Sequence, residues 1–175
     1  MLLDKHKQWE SLAAACDEIQ ALFINQPVEH GALVAADGRL IVEAKGGKQT
    51  VKFLTQDLGR VTNGGFFHNH PSGSSFSIDD LKIARDYNPA FLSVFGTNPK
   101  GGEFRYTMHR PKKGWPSSRE ISKYYARAVE KAKDALYDKV SEGELSLSDF
   151  DQNLAHYEMI NLAKMIGAKY NEVAV

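Results

Sequence analysis

Cysteine is nearly absent from the sequence: Cys16 is the single cysteine among 175 residues. One thiol excludes a disulfide framework within the chain and a zinc site built from several cysteines. The lack of a Cys-x-x-Cys pair also excludes the signature of the zinc-dependent nucleobase deaminases. Histidine and carboxylate side chains would therefore have to hold any metal ion.

The sequence has no excess of charge of either sign, with 22 Lys and Arg residues against 22 Asp and Glu residues. Binding of nucleic acid through its phosphates needs a basic excess on some face, so we expect no nucleic-acid partner. One local excess lies within residues 98–113, where Glu103 is outnumbered by Lys100, Arg105, Arg110, Lys112 and Lys113. Such a run is typical of a solvated edge; the alternative is a surface that guides an acidic substrate or partner.

Long apolar runs are also missing. No window approaches the roughly eighteen consecutive apolar residues that a membrane-spanning helix needs, so we expect no membrane insertion. The chain becomes charged at Asp4 and Lys5, which differs from the apolar stretch of a secretory signal peptide. These absences predict a cytoplasmic protein.

The spacing of the apolar residues predicts a mixture of helices and strands. Residues 5–24 place apolar side chains three and four positions apart, which predicts a helix that ends before Pro27. Cys16 lies in this stripe, so we interpret it as a small core residue rather than a nucleophile. Short apolar runs between turn residues predict strands at residues 32–36, 40–44, 50–54, 66–70, 90–96 and 103–109.

Further helices complete the pattern. We predict short helices at residues 55–61 and 79–87, and a helical hairpin within residues 117–166 whose second helix begins at Ser148 and ends near Gly167. This order of elements predicts an α+β domain with a C-terminal helical hairpin. The apolar side of the hairpin must be covered, either by the rest of the domain or by a partner, including a second copy of the chain in a homodimer.

The segment from His68 to Asp80 carries the strongest chemical signal. On a strand, alternate side chains leave the same face, so His68 and His70 can reach one ion together while Asn69 points the other way. Pro71 ends the strand, because proline cannot donate to a sheet ladder. Asp80 follows in the first turn of the next helix and offers a third ligand. Two imidazoles and one carboxylate leave a fourth tetrahedral position open, as in catalytic zinc sites.

These residues resemble the motif of the JAMM metalloproteases, also called the JAB or MPN-plus family. That motif is an upstream Glu, then His-x-His-Pro, then Ser-x-x-Asp, and the sequence has Glu29, His-Asn-His-Pro at residues 68–71 and Ser-Ile-Asp-Asp at residues 77–80. The His-Asn-His-Pro-Ser-Gly wording is similar to RadC-like and other prokaryotic or phage members. The resemblance implies a JAB/MPN core, a mixed sheet flanked by helices, over residues 1–112, with residues 113–175 as a helical extension packed on it.

The resemblance also implies a site and an activity. One Zn²⁺ would be held by His68, His70 and Asp80, with Glu29 as the base that takes a proton from the zinc-bound water and Ser77 steadying the oxyanion. The expected reaction is hydrolysis of a peptide or isopeptide bond. The substrate would be a ubiquitin-like protein or an assembly precursor.

The sequence departs from the family pattern in its loop lengths. The gap between His70 and Asp80 is one residue shorter than is usual in the family, so Asp79 stays an alternative ligand. The short stretch between Glu29 and His68 leaves little room for the insertion loops with which eukaryotic relatives grip ubiquitin. This weakens the transfer of the eukaryotic substrate.

Each part of the motif has a plainer interpretation. Ser-x-x-Asp is also a helix capping box, and similar patterns begin at Ser117, Ser141 and Ser148. A scaffold or binding module that is catalytically silent and uses the helical tail for docking is the main alternative. A protein that acts on DNA ranks third.

The other histidines carry less signal than His68 and His70. We predict a structural role for His30, on the face opposite Glu29. We expect His6, His109 and His156 to be exposed to solvent.

Overall fold

The computed structural model describes residues 1–48, 50–97 and 101–174. In chain order the helices and strands are α1 (Leu12–Phe23), β1 (His30–Val34), β2 (Leu40–Lys45), α2 (Thr55–Leu58), β3 (Gly65–His70), α3 (Ile78–Tyr87), β4 (Phe91–Thr97), β5 (Glu103–His109), α4 (Ser118–Ser141), α5 (Leu147–Ile166) and β6 (Lys169–Ala174). The expectation of an α+β fold is confirmed, and the predicted pair of C-terminal helices is present as α4 and α5, but the strand β6 follows them.

The strands form a 6-stranded sheet in the order β2-β1-β3-β4-β5-β6. The central β3 and β4 are parallel, and every other neighbouring pair is antiparallel. The hairpin of β1 and β2 turns at Asp37-Gly38, where Gly38 has a φ of 84°, as the sequence predicts. The parallel pair needs a crossover, which α3 provides.

The two faces of the sheet carry separate hydrophobic clusters, because successive side chains of a strand point to opposite faces. On one face, Ala32, Val34 and Phe67 pack with α1. On the other face, Leu33 and Phe66 pack with α3, α4 and α5. The fold is therefore a sheet between two helical layers, one of them a single helix.

The C-terminal helices belong to the core. Ala128 of α4 and Leu162 of α5 are fully buried in the same cluster as Leu92 and Met108 of the sheet. This cluster thus has members on both sides of residue 112. The division of the chain at that residue stays a prediction.

The first helix is shorter than predicted, because residues before Leu12 pair with the β1–β2 hairpin instead. The Trp9 N–H donates to the carbonyl of Gly38, and the Leu40 N–H donates to the carbonyl of Lys7. Ser11 then caps α1 by accepting the Ala14 N–H. The apolar spacing predicts too long a helix because it includes Trp9. This side chain is buried, but Trp9 lies in a non-helical segment before α1.

The strand predicted at residues 50–54 is wrong, and β6 was missed. The chain from Thr50 to Leu54 runs irregularly past β1, with Val51 and Phe53 beside Gly31. At the opposite end, Lys169–Ala174 pairs with β5 as an edge strand whose residues are mostly exposed. An exposed edge strand lacks the apolar alternation by which strands are recognised.

The helix termini of the tail follow their caps. Ser117 caps α4 in a capping box with Glu120, and Gly167 ends α5 in the left-handed region with a φ of 72°. The cap of α5 is Ser146 rather than the predicted Ser148. Within the described residues, none of the helices combines the length and the apolarity needed to cross a bilayer.

Candidate metal centre

His68 and His70 leave the same face of β3, and their Nε2 atoms lie 3.1 Å apart. Both side chains are buried, with 1 % and 8 % of the residue exposed. The His68 ring stacks on Phe66, its neighbour on that face, at 4.7 Å between ring centroids. The strand alternation that the sequence predicts therefore brings two ring nitrogens to one point.

Asp80 joins this pair from the first turn of α3. Its Oδ2 accepts the Ser77 N–H and the Ser77 hydroxyl, both at 2.7 Å. Its Oδ1 lies 3.1 Å from His68 Nε2. The capping box thus holds one carboxylate oxygen and turns the other toward the imidazoles. Asp79 is exposed and pairs with Lys82 at 2.7 Å, so Asp80 is the carboxylate at the cluster.

His70 is held in the tautomer that a metal ligand needs. Its Nδ1 lies 3.0 Å from the carbonyl oxygen of Ser74 and 3.1 Å from that of Ser75. Since a carbonyl only accepts, Nδ1 carries the proton and Nε2 keeps its lone pair. Burial, together with the neighbouring His68, lowers the pKa of His70 to about 4.

The Asp80 carboxyl is an anion despite its burial. Burial opposes ionisation, but His68, His70 and the Ser77 N–H stabilise the charge and hold the Asp80 pKa well below its usual value. A buried anion beside two imidazoles is a good environment for a divalent cation.

The three donors fit a tetrahedral ion. Ligands about 2.0–2.2 Å from a tetrahedral Zn²⁺ lie roughly 3.3–3.6 Å from one another. Here one ligand atom from each of His68, His70 and Asp80 lies within 4.8 Å of the others, and the two closest pairs are 3.1 Å apart. Two nitrogens and one oxygen are also a donor set that zinc accepts.

Glu29 lines the same pocket as His68, His70 and Asp80, a pocket of about 670 Å³. It lies directly before β1, where its N–H donates to the carbonyl of Gly47 and its carbonyl accepts the N–H of Gly46, both at 2.7 Å. Burial raises the pKa of Glu29, and the negative charge of Asp80 adds to this effect. His68 and the Val51 N–H partly offset the rise. A carboxyl of this kind accepts a proton more readily than one at the surface.

Asn69 anchors the segment that carries Glu29. The sequence predicts only that its side chain points away from the two imidazoles, and not that it has this role. It points away from the imidazoles, as predicted, and is fully buried. Its Oδ1 accepts the His30 N–H at 2.6 Å, and its Nδ2 donates to the carbonyls of Gln26 and Val28, each at 3.2 Å. A buried amide needs hydrogen-bond partners. An Asn on the buried face of a predicted strand, between two histidines, is therefore the feature of the sequence that could have indicated this anchoring role.

Two glycines make room beside the imidazoles. Gly31 stands opposite His68 in the sheet, and a Cβ there would lie 2.6 Å from the Phe53 ring. Gly96 stands opposite His70, and a Cβ there would lie 2.7 Å from the backbone of Gly73. A side chain at either position would displace Phe53 or Gly73, whose chain neighbours Val51, Ser72 and Ser74 line the pocket. Single glycines in predicted strands can mark such close approaches.

The remaining histidines divide into confirmed and wrong predictions. His30 is buried with its Nδ1 3.5 Å from Glu43, which agrees with a structural role. His6 is exposed in a turn, as predicted, whereas His109 is half-buried on β5 rather than exposed. The prediction that His156 is exposed is wrong, since its side chain is 15 % exposed and its Nδ1 lies 2.8 Å from the Tyr170 hydroxyl.

The basic run is partly engaged in contacts. Arg105 pairs with Asp17 at 2.5 Å, and Arg110 donates to the carbonyl of Asn88. Lys112 and Lys113 are exposed. Lys100 lies outside the described residues.

A scan against protein-family models, a search of curated proteins and a search of solved structures each found no match to this chain.

Proposed function

We propose that the chain is a zinc-dependent hydrolase of the JAMM type that cleaves a peptide or isopeptide bond. On this proposal the sheet and its helices are a JAB/MPN core. One observation carries it: Glu29, His68, His70 and Asp80, which follow the family's order in the sequence, line a single pocket. His68, His70 and Asp80 would hold the ion.

When bound, zinc would polarise the scissile carbonyl and lower the pKa of a water molecule toward neutrality. Glu29 supplies the proton transfers that the reaction needs. Its carboxylate takes a proton from the attacking water and later gives it to the leaving amine. Burial raises the Glu29 pKa, which strengthens the carboxylate as a base for the first step and brings it toward the range of an effective acid–base group.

We assign Ser77 first to holding Asp80. Its hydroxyl donates to Asp80 Oδ2, so steadying the oxyanion would require the hydroxyl to change its acceptor. The Ser77 N–H, which also donates to Oδ2, would keep the carboxylate in place during that change.

The pocket offers both apolar and charged contacts to a peptide chain. Val51, Phe66 and Ile83 supply apolar surface, while Lys48 and Asp79 supply charges of opposite sign. A ubiquitin-like protein and an assembly precursor are the two kinds of substrate to test. Both contain an amide bond, which is the bond that the proposed reaction hydrolyses.

The test compares cleavage of a broad panel of peptides and lysine isopeptides by the zinc-loaded wild type, Glu29→Gln and His68→Ala. Glu29→Gln should keep its zinc but lose cleavage by about a thousandfold, the usual effect of removing a general base. His68→Ala should lose both zinc and cleavage. Full zinc occupancy without any difference in cleavage between wild type and Glu29→Gln would overturn the proposal.

A catalytically silent binding module is the second candidate. It is favoured by Tyr137 and Leu147, which are 57 % and 71 % exposed near the turn between α4 and α5. Such a module would dock a partner, or a second copy of the chain, through the end of the hairpin. A melting temperature that neither a chelator nor added zinc changes would favour this candidate.

A further inference from the structure

A chain of hydrogen bonds connects the C-terminal elements to the loop that holds His70. The Ser75 hydroxyl lies 2.8 Å from the Tyr170 hydroxyl on β6, and Ser75 is 2 % exposed. The Tyr170 hydroxyl in turn lies 2.8 Å from His156 Nδ1 on α5. His156 Nε2 lies 3.0 Å from the Glu172 carboxylate. The carbonyl of Ser75 is one of the two that His70 Nδ1 contacts.

The donors and acceptors in this chain have one consistent order. Burial lowers the pKa of His156 and so favours the neutral imidazole. Glu172 only accepts, so the single ring proton lies on His156 Nε2, and Nδ1 accepts from the Tyr170 hydroxyl. The Tyr170 oxygen is then left to accept the Ser75 hydroxyl. The chain thus fixes Ser75, and a fixed Ser75 holds its carbonyl toward His70. Ring contacts support the same path, because Tyr170 stacks on Tyr106 and meets Phe76 edge-on.

We propose that Tyr170 is a positioning residue for the metal centre. Its hydroxyl, oriented by His156, fixes the loop whose carbonyls keep the His70 proton on Nδ1 and the lone pair on Nε2. Groups that orient a metal-bound histidine through its second nitrogen typically change metal affinity by about 10–100-fold. Because Tyr170 acts one residue further out, we expect an effect of about tenfold. The inference rests on the proposed metal site.

The test is Tyr170→Phe, which removes one hydroxyl and keeps the ring. Tyr125→Phe is a matched control, since the Tyr125 hydroxyl also donates to a buried partner in the helical tail, Glu158 Oε2 at 2.8 Å. Both variants are titrated with Co²⁺, followed by its visible absorption bands, and with Zn²⁺ in competition. Tyr170→Phe should bind both ions about tenfold more weakly and shift the Co²⁺ bands, whereas Tyr125→Phe should stay within about twofold of the wild type.

The outcomes separate this inference from the proposed function. Equal affinities and identical spectra for the two variants, with a wild type that binds metal, would overturn the role of Tyr170 alone. A wild type that binds neither ion would overturn the metal site and this inference together. Ser75→Ala breaks the chain at its other end while keeping the carbonyl, and it should reproduce the weaker binding if Tyr170→Phe does not fold.

Discussion

Ser77 does two things that are separable by experiment. Its side chain caps α3 by accepting the Asp80 N–H, and its hydroxyl donates to the carboxylate of Asp80. The first contact stabilises a helix terminus anywhere in a protein. The second contact, from the hydroxyl to the carboxylate, affects metal binding only if Asp80 is a ligand.

Ser77→Ala should lower both stability and metal affinity. Loss of the cap should cost about 1 kcal/mol of unfolding free energy. Asp80 Oδ2 would keep the backbone N–H of residue 77 but lose the hydroxyl donor, so zinc should bind about tenfold more weakly. Ser117→Ala is the control, because Ser117 forms the same capping box with Glu120 on α4. Urea unfolding and zinc titration of both variants check this. Equal zinc affinities would show that the capping box at α3 is structural only.

Asn69→Ala should be among the most destabilising single changes near the candidate metal centre. It leaves the buried His30 N–H without its partner and takes the donor from the carbonyls of Gln26 and Val28. Buried groups left unpaired in this way cost about 1–3 kcal/mol each. We expect a loss of roughly 3 kcal/mol in urea unfolding. A loss below about 1 kcal/mol would contradict the anchoring role.

At the scale of residues, the sequence predicts that His68, His70 and Asp80 come together, because strand alternation and helix capping are local rules. His68, His70 and Asp80 meet because those rules place them on one strand face and in one first turn. The sequence does not reveal the partners of Asn69 or the burial of His156, since both depend on segments distant along the chain. His156 is half-buried and contacts Tyr170, which lies on a strand that apolar spacing does not indicate.

The element that ends the described chain, β6, links the helical layer to the sheet. It pairs with β5 and places Tyr170 and Glu172 on the two ring nitrogens of His156. Burial lowers the pKa of His156, and Glu172 opposes this only in part. The folded chain therefore holds this imidazole neutral more strongly than the unfolded chain does.

This burial makes stability sensitive to acid. Below about pH 6.5, the ordinary pKa of an imidazole, His156 takes up a proton in the unfolded chain but stays neutral in the folded chain. The free energy of unfolding therefore falls as the pH falls. In chelator, the metal-free wild type should lose up to about 1 kcal/mol more than His156→Gln between about pH 7.5 and about pH 5.5. Urea unfolding at both pH values measures this. Equal losses would mean that His156 titrates alike in the folded and unfolded chains.

Among the elements, those with a strong apolar pattern are predicted and those without it are not. The strands β1, β3, β4 and β5 carry buried apolar residues, and the sequence indicates all of them. The irregular Thr50–Leu54 segment resembles a strand in sequence because the apolar Val51 and Phe53 alternate with other residues. In the structure the segment does not pair with the sheet, and these two side chains pack beside Gly31. The segment is irregular rather than a strand because Gly31, which is distant in the sequence, leaves space for the side chains of Val51 and Phe53.

For the whole molecule, the helical tail is a layer of the core and not an appendage. Leu162 of α5 and Ala128 of α4 are fully buried with the sheet residues Leu92 and Met108. Composition and apolar stripes predict that a hairpin exists and has one side to cover. They do not determine what covers it, because the matching surface is assembled only when the sheet forms.

Leu162→Ala should therefore destabilise the whole chain. A buried leucine truncated to alanine costs about 2–5 kcal/mol, and unfolding should stay a single transition. Circular dichroism of helix and of aromatic side chains checks this, since the two signals should coincide in urea. An early loss of helix with the aromatic signal intact would mean that the tail unfolds separately.

The proposed function requires that His68, His70 and Asp80 form one zinc site. The most direct measurement is the zinc content per chain after stripping with a chelator, reconstitution and removal of free metal. We expect about one ion in the wild type and in Glu29→Gln, and less than about a tenth of an ion in His68→Ala and Asp80→Ala. A wild type that retains no more zinc than His68→Ala would contradict the claim.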